Sequence, residues 1–294
     1  INPDFDQDQA ERLLVDTSLL LDNEDLGKAF YEKLISESGT KLIDFENFGN
    51  NSFHVVTELT YKNGDDEFRP DIILVINGMP LVFIEVKKPN NRDGIIAERE
   101  RINKRFQNKK FRKFVNLTQL MVFSNNMEYD NEEIEPLKGA FYASPSYKQP
   151  IFNYFREEES LDLAALLAPE NDDLENFILK DNNLAVIKNS PEFLTNKDTN
   201  TPTNRVSTSL FSKDRLAFIL KYAIAYVDET KGIEKHVMRY PQIFATKAIE
   251  NKLESGIKKG IIWHTQGSGK TALAYFNVRY LTDYFQKKKV IPKF

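Results

Sequence analysis

Between Arg69 and Lys88 the sequence reads Arg-Pro-Asp-Ile-Ile-Leu-Val-Ile-Asn-Gly-Met-Pro-Leu-Val-Phe-Ile-Glu-Val-Lys-Lys, and no other segment restricts the fold as strongly. Two apolar runs of strand length flank Asn77-Gly78, a pair that accepts the positive φ angles of a tight hairpin turn. The chain is therefore expected to reverse there and lay Asp71–Ile76 against Leu81–Val86. Strand side chains alternate between faces, so Glu85 and Lys87 project the same way while Val86 turns into the core. Asp71, at the start of the first strand, can then lie near Glu85 on the second.

Two carboxylates held side by side on buried strands repel each other and lose hydration, and a bound cation is the natural compensation. Hard oxygen donors with open positions favour Mg²⁺ or Mn²⁺. Such an ion polarises a phosphoryl oxygen, lowers the pKa of an attacking water and neutralises the departing oxyanion. A lysine two residues from a ligand can orient that water or offset charge at phosphorus. The pattern points to metal-assisted phosphodiester hydrolysis, with Asp71 and Glu85 as metal ligands and Asp71, Glu85 and Lys87 as the catalytic set. An acidic hairpin with a purely structural lysine is the alternative.

Charge is informative locally rather than globally. The net charge of −4 argues against coating nucleic acid by bulk charge. From Lys87 to Lys113, however, eleven basic residues face three acidic ones. Residues 97–110 read as a helix with Ile102 and Phe106 on one face and most of the basic side chains elsewhere. Arg101, Lys104 and Arg105 are the candidate contacts to DNA phosphates; a solvated helix face is the alternative.

The remaining chain divides by texture. Residues 1–158 read as an α/β domain with a mixed central sheet: leucine-rich helices in the first forty residues, β-rich runs at 55–61, turns at Asn63-Gly64 and Asn77-Gly78, and strands at Gln119–Phe123 and Ala140–Ala143. Gln119 could approach the acidic site, although a plain strand position is the simpler reading. Residues 159–209 form a helical, acidic segment followed, from Asn189 to Ser209, by an aperiodic Asn/Thr/Ser/Pro linker. Residues 210–294 open a second domain, with helices at Arg215–Val227 and Gln242–Leu253 and a short strand at Gly260–Trp263. Trp263 is expected in the core, and His264 reads as structural.

That strand runs into Thr265-Gln266-Gly267-Ser268-Gly269-Lys270-Thr271 and then a helix. Small residues let successive backbone N–H groups wrap β- and γ-phosphates at a helix N-terminus; Lys270 reaches the same oxygens and Thr271 offers its hydroxyl to Mg²⁺. The candidate nucleotide-binding residues are thus Thr265, Gly267, Ser268, Gly269, Lys270 and Thr271, with ATP as the cofactor. No Asp-Glu strand pair follows Thr271 before Phe294, so the chain as given is expected to bind nucleotide poorly and hydrolyse none. With 41% hydrophobic residues, packed cores are expected; zero Cys excludes disulfides, thiolate zinc sites and a cysteine nucleophile. Three His leave little for an imidazole metal cage. No apolar run reaches the roughly 18 residues of a membrane span. The start at Ile1, with no initiator Met and no signal segment, suggests trimming rather than secretion, and the whole fits the cytoplasm.

Several of these motifs resemble known families. Pro70-Asp71, thirteen intervening residues, and Glu85-Val86-Lys87 resemble the PD-(D/E)XK nuclease motif. The wider run RPDIILVINGMPLVFIEVKKP resembles the nuclease domain of type I restriction enzyme motor subunits. That family often carries a Gln-x-x-x-Tyr element on the helix after the lysine; here Arg101 stands where the Gln is sought and Phe106 in place of the Tyr, so the element is not carried over. The loop at 265–271 resembles motif I of superfamily 2 helicases, with His264 where a strict Walker A has Gly. Arg239-Tyr240-Pro241-Gln242 resembles the adenine-reading Q-motif, in which Gln242 would present both amide groups to adenine; an ordinary glutamine at a helix start is the alternative.

The resemblance implies a restriction-endonuclease-like nuclease domain followed by the beginning of a RecA-like P-loop domain. It further implies Mg²⁺-dependent cleavage of double-stranded DNA after ATP-driven translocation, in a complex with methyltransferase and specificity subunits. Two other readings stand beside it: a helicase or translocase whose N-terminal domain binds DNA without cleaving it, and a repair nuclease fused to a helicase.

Overall fold

A computed structural model describes residues 1–88, 94–129, 139–230 and 232–294. Helix α1 (Gln7–Leu20) begins at Asp6, whose carboxylate accepts from the Gln9 backbone N–H while the Gln9 side chain accepts from the Asp6 N–H, a reciprocal cap. Helix α2 (Lys28–Leu34) starts after Gly27, at φ 81°, where an added Cβ would lie 2.2 Å from the Asn116 carbonyl oxygen. Only glycine meets both conditions.

Strands β1 (Phe53–Thr57), β2 (Tyr61–Asn63), β3 (Asp66–Phe68), β4 (Ile72–Ile76) and β5 (Met79–Val86) follow. The turn between β4 and β5 has Asn77 at φ 50° and Gly78 at φ 81°, the double positive-φ geometry that the sequence predicts. Helices α3 (Gly94–Gln107) and α4 (Arg112–Leu117) then carry the chain over one face, so β6 (Leu120–Ser124) returns parallel to β5. With β7 (Ala140–Ala143) and β8 (Asn153–Tyr154) antiparallel beyond it, the six-stranded sheet runs β1-β4-β5-β6-β7-β8 and is mixed, as expected.

Both faces of this sheet are covered, which explains why β4–β6 are apolar at nearly every position. On one face Ile73, Phe83, Met121 and Phe123 pack with Ile102, Phe106, Phe111 and Phe114. On the other, Val82, Ile84, Val122 and Tyr142 belong to a cluster that also contains Phe30, Leu34, Ile219 and Phe244.

After the short helix α5 (Leu163–Leu166) and α6 (Asp172–Asp181), the structure corrects the linker reading. Residues 189–210 contain α7 (Pro191–Asn196) and α8 (Pro202–Leu210), and Val206 and Leu210 are buried. Ser190-Pro191 and Thr201-Pro202, within the stretch read as a linker, are each an N-cap followed by proline in the first turn, where its missing N–H costs nothing. Ser190 Oγ accepts from the Phe193 N–H at 3.2 Å.

The expected helix at 215–227 is shorter and splits. Helix α9 (Lys213–Tyr222) ends and Ile224–Glu229 becomes β9, paired antiparallel with β10 (Gly232–Val237). The β-branched and aromatic residues Ile224, Tyr226 and Val227 favour that strand once a partner is present. Helices α10 (Tyr240–Glu254) and α11 (Lys270–Lys287) complete the chain.

Gly260–Trp263 is not a strand: Ile261 is 91% and Trp263 90% exposed, so Trp263 is not a core residue. A strand needs a ladder partner for its N–H and C=O groups, and among the described residues none runs beside this segment. The C-terminal third is nonetheless packed on the sheet: Tyr142 Oη donates to the Met238 carbonyl at 2.5 Å and Ser144 Oγ to the Lys235 carbonyl at 2.6 Å. No described helix is long and apolar enough to cross a membrane.

Candidate active site and nucleotide loop

Asp71 precedes β4, and its Oδ2 accepts the Val86 backbone N–H at 2.9 Å, which fixes its carboxylate beside the C-terminal end of β5. Glu85, on β5, is 3% exposed. Lys87 follows the strand with its own N–H bonded to the Ser124 carbonyl at 2.8 Å, so the parallel neighbour β6 orients it. The Lys87 Nζ lies 3.6 Å from Asp71 Oδ2 and 3.4 Å from Glu85 Oε2. The three residues singled out by spacing therefore meet around one ammonium group.

Their electrostatics are strained. Burial, and then the charges of Asp71 and Glu98, push the Glu85 carboxyl up to about 7 against the opposing pull of Lys87 and Arg105. Burial alone would lower Lys87, but Glu98, Glu85 and Asp71 outweigh it and hold its pKa above the usual lysine value. Glu85 Oε1 is buried without a hydrogen-bond partner. A hard, desolvated oxygen left without a donor beside a second carboxylate fits a divalent cation, and Asp71 and Glu85 are the residues that could hold one.

The basic helix behaves differently from its sequence reading. Arg105 turns inward, its Nη1 at 3.6 Å from both Glu85 Oε1 and Glu98 Oε1 and its guanidinium over the Phe68 ring. Arg101 Nη1 is 2.8 Å from Glu98 Oε2, with the side chain still 57% exposed. Lys104 is exposed and makes no ion pair among the described residues. Of the three candidate DNA contacts, one is thus engaged in the acidic cluster, one is shared with it, and one faces solvent.

Glu98 is the residue that sequence reasoning missed. It is 1% exposed, and its Oε2 is 3.3 Å from Lys87 Nζ. The comparison of Arg101 and Phe106 with Gln-x-x-x-Tyr spans one residue too many; Glu98 and Ile102 keep the four-residue step, and it is Glu98 that faces the acids. The signal was available: Glu98, Ile102 and Arg105 recur at the i, i+4, i+7 spacing of one buried helix face. Gln119 is buried away from this chemistry, accepting from Lys235 Nζ at 2.8 Å and donating to the Leu117 carbonyl at 2.9 Å. Among the described residues, the three ligand atoms that converge within 4.8 Å belong to Glu229, Glu234 and His236 on the β9–β10 hairpin, whereas Asp71, Glu85 and Glu98 are spread around Lys87.

The glycine-rich loop ends at α11, whose first residue is Lys270. Gly267 and Gly269 have φ of 76° and 83°. Ser268 Oγ donates to the Thr265 carbonyl at 2.7 Å and Lys270 Nζ to the same oxygen at 3.1 Å, while Thr271 is exposed. Gln242, buried at the start of α10, accepts the Arg239 N–H at 2.8 Å and donates to the Gly269 carbonyl at 3.0 Å. Gln242 and the loop are therefore joined across 27 residues of sequence, with both amide groups of Gln242 engaged inside the protein. A Cβ on Gly269 would fall 2.6 Å from Gln242 Nε2 and displace that amide, and the positive φ is what favours glycine there.

Comparison with known proteins agrees with both regions. The family model for the type I restriction enzyme R protein N terminus matches residues 1–130, and that for the SWI2/SNF2 ATPase matches residues 241–292. The chain is 28% identical over 262 residues to the putative type I restriction enzyme MjaVIIP endonuclease subunit of Methanocaldococcus jannaschii, covering 85% of this chain and 20% of that protein. It is 27% identical over 284 residues to the putative MjaIXP endonuclease subunit of the same organism, covering 87% and 24%. The type I restriction enzyme HindI endonuclease subunit of Haemophilus influenzae is 26% identical over 247 residues, covering 80% and 19%. The chain spans about a fifth to a quarter of the length of these relatives. Residues 1–130 accordingly carry the region that the family model describes as the type I restriction enzyme R protein N terminus, and over most of its length the chain is similar to type I restriction endonuclease subunits.

Proposed function

We propose that Asp71, Glu85 and Lys87 form a Mg²⁺-dependent centre that cleaves double-stranded DNA, and that residues 210–294 open a RecA-like ATPase domain that drives translocation before cleavage. The observation that carries this reading is the convergence of Asp71 and Glu85 on the Lys87 ammonium, at 3.6 and 3.4 Å, with a buried Glu85 oxygen that makes no hydrogen bond and has the Arg105 guanidinium only at 3.6 Å. The named relatives, endonuclease subunits of type I restriction enzymes, support work within a restriction complex, for which methyltransferase and specificity subunits in the cytoplasm are the partners proposed, and the SWI2/SNF2 ATPase match over residues 241–292 supports ATP binding at the loop.

Asp71 and Glu85 would hold the cation, which when bound supplies Lewis-acid activation of the phosphodiester and its attacking water. The protein's own residues do the rest. The Val86 N–H aims Asp71 and the register with β6 aims Lys87, whose ammonium offsets charge building at phosphorus. Gly267, Gly269 and the α11 N-terminus offer backbone N–H groups to phosphates, with Lys270 and Thr271 beside them. The test is cleavage of double-stranded DNA by the intact parent with its partner subunits. It is expected to require both Mg²⁺ and ATP, and cleavage indifferent to either would overturn the corresponding half of the proposal.

The positions of the helix cations sharpen a further expectation. Lys104 faces solvent while Arg105 neutralises buried acids, so Lys104→Glu is the clean probe of phosphate contact. It should weaken binding to unrelated DNA sequences alike and flatten the slope of log affinity against log salt by about 0.9, the share of one phosphate contact. An unchanged slope would make α3 a solvated face.

A further inference from the structure

One acid beside the proposed centre has no part in that reading. Glu98 is 1% exposed, and neither of its oxygens meets a hydrogen-bond donor in good geometry. Lys87 Nζ at 3.3 Å, Arg101 Nη1 at 2.8 Å and Arg105 Nη1 at 3.6 Å nevertheless surround it. Taking a carboxylate out of water costs several kcal/mol, and an apolar residue at such a position is often neutral or better for stability. Ile102 and Phe106, on the same helix, already anchor α3 to the sheet by apolar packing. A charge at position 98 is therefore not needed to dock the helix, and its effect is to be sought in the groups it touches.

The group that matters is Lys87. Three carboxylates share its ammonium, and two of them, Asp71 and Glu85, are the proposed cation ligands. A divalent ion drawing on those two would weaken their hold on Lys87 and would itself repel the ammonium. Glu98 approaches from α3 rather than from the hairpin, and at 3.3 Å it is the nearest of the three. It also shares Arg105 with Glu85, through contacts of 3.6 Å each, so it can keep the guanidinium when Glu85 turns to a cation.

We infer that Glu98 is a positioning residue for cleavage: it holds Lys87 against the reacting phosphate when a divalent cation engages Asp71 and Glu85. The inference rests on the cleavage reading above, and the experiment separates the two. In the intact parent complex, Glu98→Gln, Glu98→Asp and Asp71→Asn are compared with wild type for single-turnover cleavage at saturating DNA, DNA affinity and Mn²⁺ binding. Glu98→Gln should slow cleavage by about 100-fold, the usual penalty for displacing a reacting group by an ångström. Mn²⁺ and DNA affinities should change far less than the rate, because Glu98 is not itself one of the proposed cation ligands and acts on cleavage through Lys87. Glu98→Asp keeps the charge but shortens its reach, and should recover part of the rate. A wild-type rate in Glu98→Gln, or loss of Mn²⁺ binding together with cleavage, overturns the inference. If Glu98→Gln does not fold, Glu98→Asp decides: a rate between those of wild type and Asp71→Asn supports positioning, and a wild-type rate overturns it. Unimpaired cleavage by Asp71→Asn would remove the cleavage reading itself, and this inference with it.

Discussion

Replacing Asp71 or Glu85 by alanine in the intact parent enzyme is expected to abolish DNA cleavage and leave ATP hydrolysis unchanged. Each change deletes an oxygen donor from the cation site, and removal of one preorganised electrostatic element costs on the order of 10²–10³ in rate even without loss of the ion. The nucleotide loop lies beyond residue 264, and neither acid touches it. Lys87→Ala should also stop cleavage while leaving cation binding mostly intact. That variant needs a stability control, because the Lys87 ammonium is within 3.6 Å of three carboxylates, two of them buried. Removing a cation from such a cluster is destabilising by roughly 3–5 kcal/mol unless a metal or proton replaces it. Mg²⁺-dependent cleavage retained by both acid variants would refute the site assignment.

The second large effect is expected at the loop. Lys270→Ala should eliminate ATP hydrolysis in the full-length parent, since the ammonium neutralises phosphate charge as the transition state forms. Lys270 is exposed and bonded only weakly to its own loop, through the Thr265 carbonyl at 3.1 Å, so the substitution should leave folding intact. If translocation precedes cutting, DNA cleavage disappears as well. ATP turnover and cleavage measured on one preparation distinguish the outcomes: cleavage that persists without hydrolysis would break the coupling, and hydrolysis that persists would break the loop assignment.

How much of this was legible in the sequence depends on how local each determinant is. The β4–β5 hairpin could be read because Asn77-Gly78 sets its own backbone and the alternation from Ile84 to Lys87 sets the faces of its side chains. The grouping of Asp71, Glu85 and Lys87 came with it. Glu98 was hidden among basic neighbours because its meaning arises only when α3 folds back over β5, a non-local event. Arg105 was read as a phosphate contact for the same reason: a charge count sees the cation and not the buried acids opposite. Ser190-Pro191 and Thr201-Pro202 were ambiguous locally, since the dipeptides that break a helix also begin one. Gly260–Trp263 has strand composition, but pairing is decided by a neighbour, and none of the described residues supplies it.

The central claim is that Asp71 and Glu85 share a divalent cation, and a titration of Mn²⁺ into the intact chain at several pH values tests it most directly. Burial and the neighbouring acids raise the Glu85 carboxyl from 4.5 to about 7. Between those values the folded protein holds a proton that the unfolded chain does not, so without metal this group makes stability fall as pH rises through that window. The cation must displace the same proton. The account therefore expects Mn²⁺ affinity to rise with pH up to about 7, by at most about tenfold per unit, and then level off, with binding lost in Asp71→Asn and in Glu85→Gln. Affinity indifferent to pH from 5 to 8 and unchanged in both variants would contradict it.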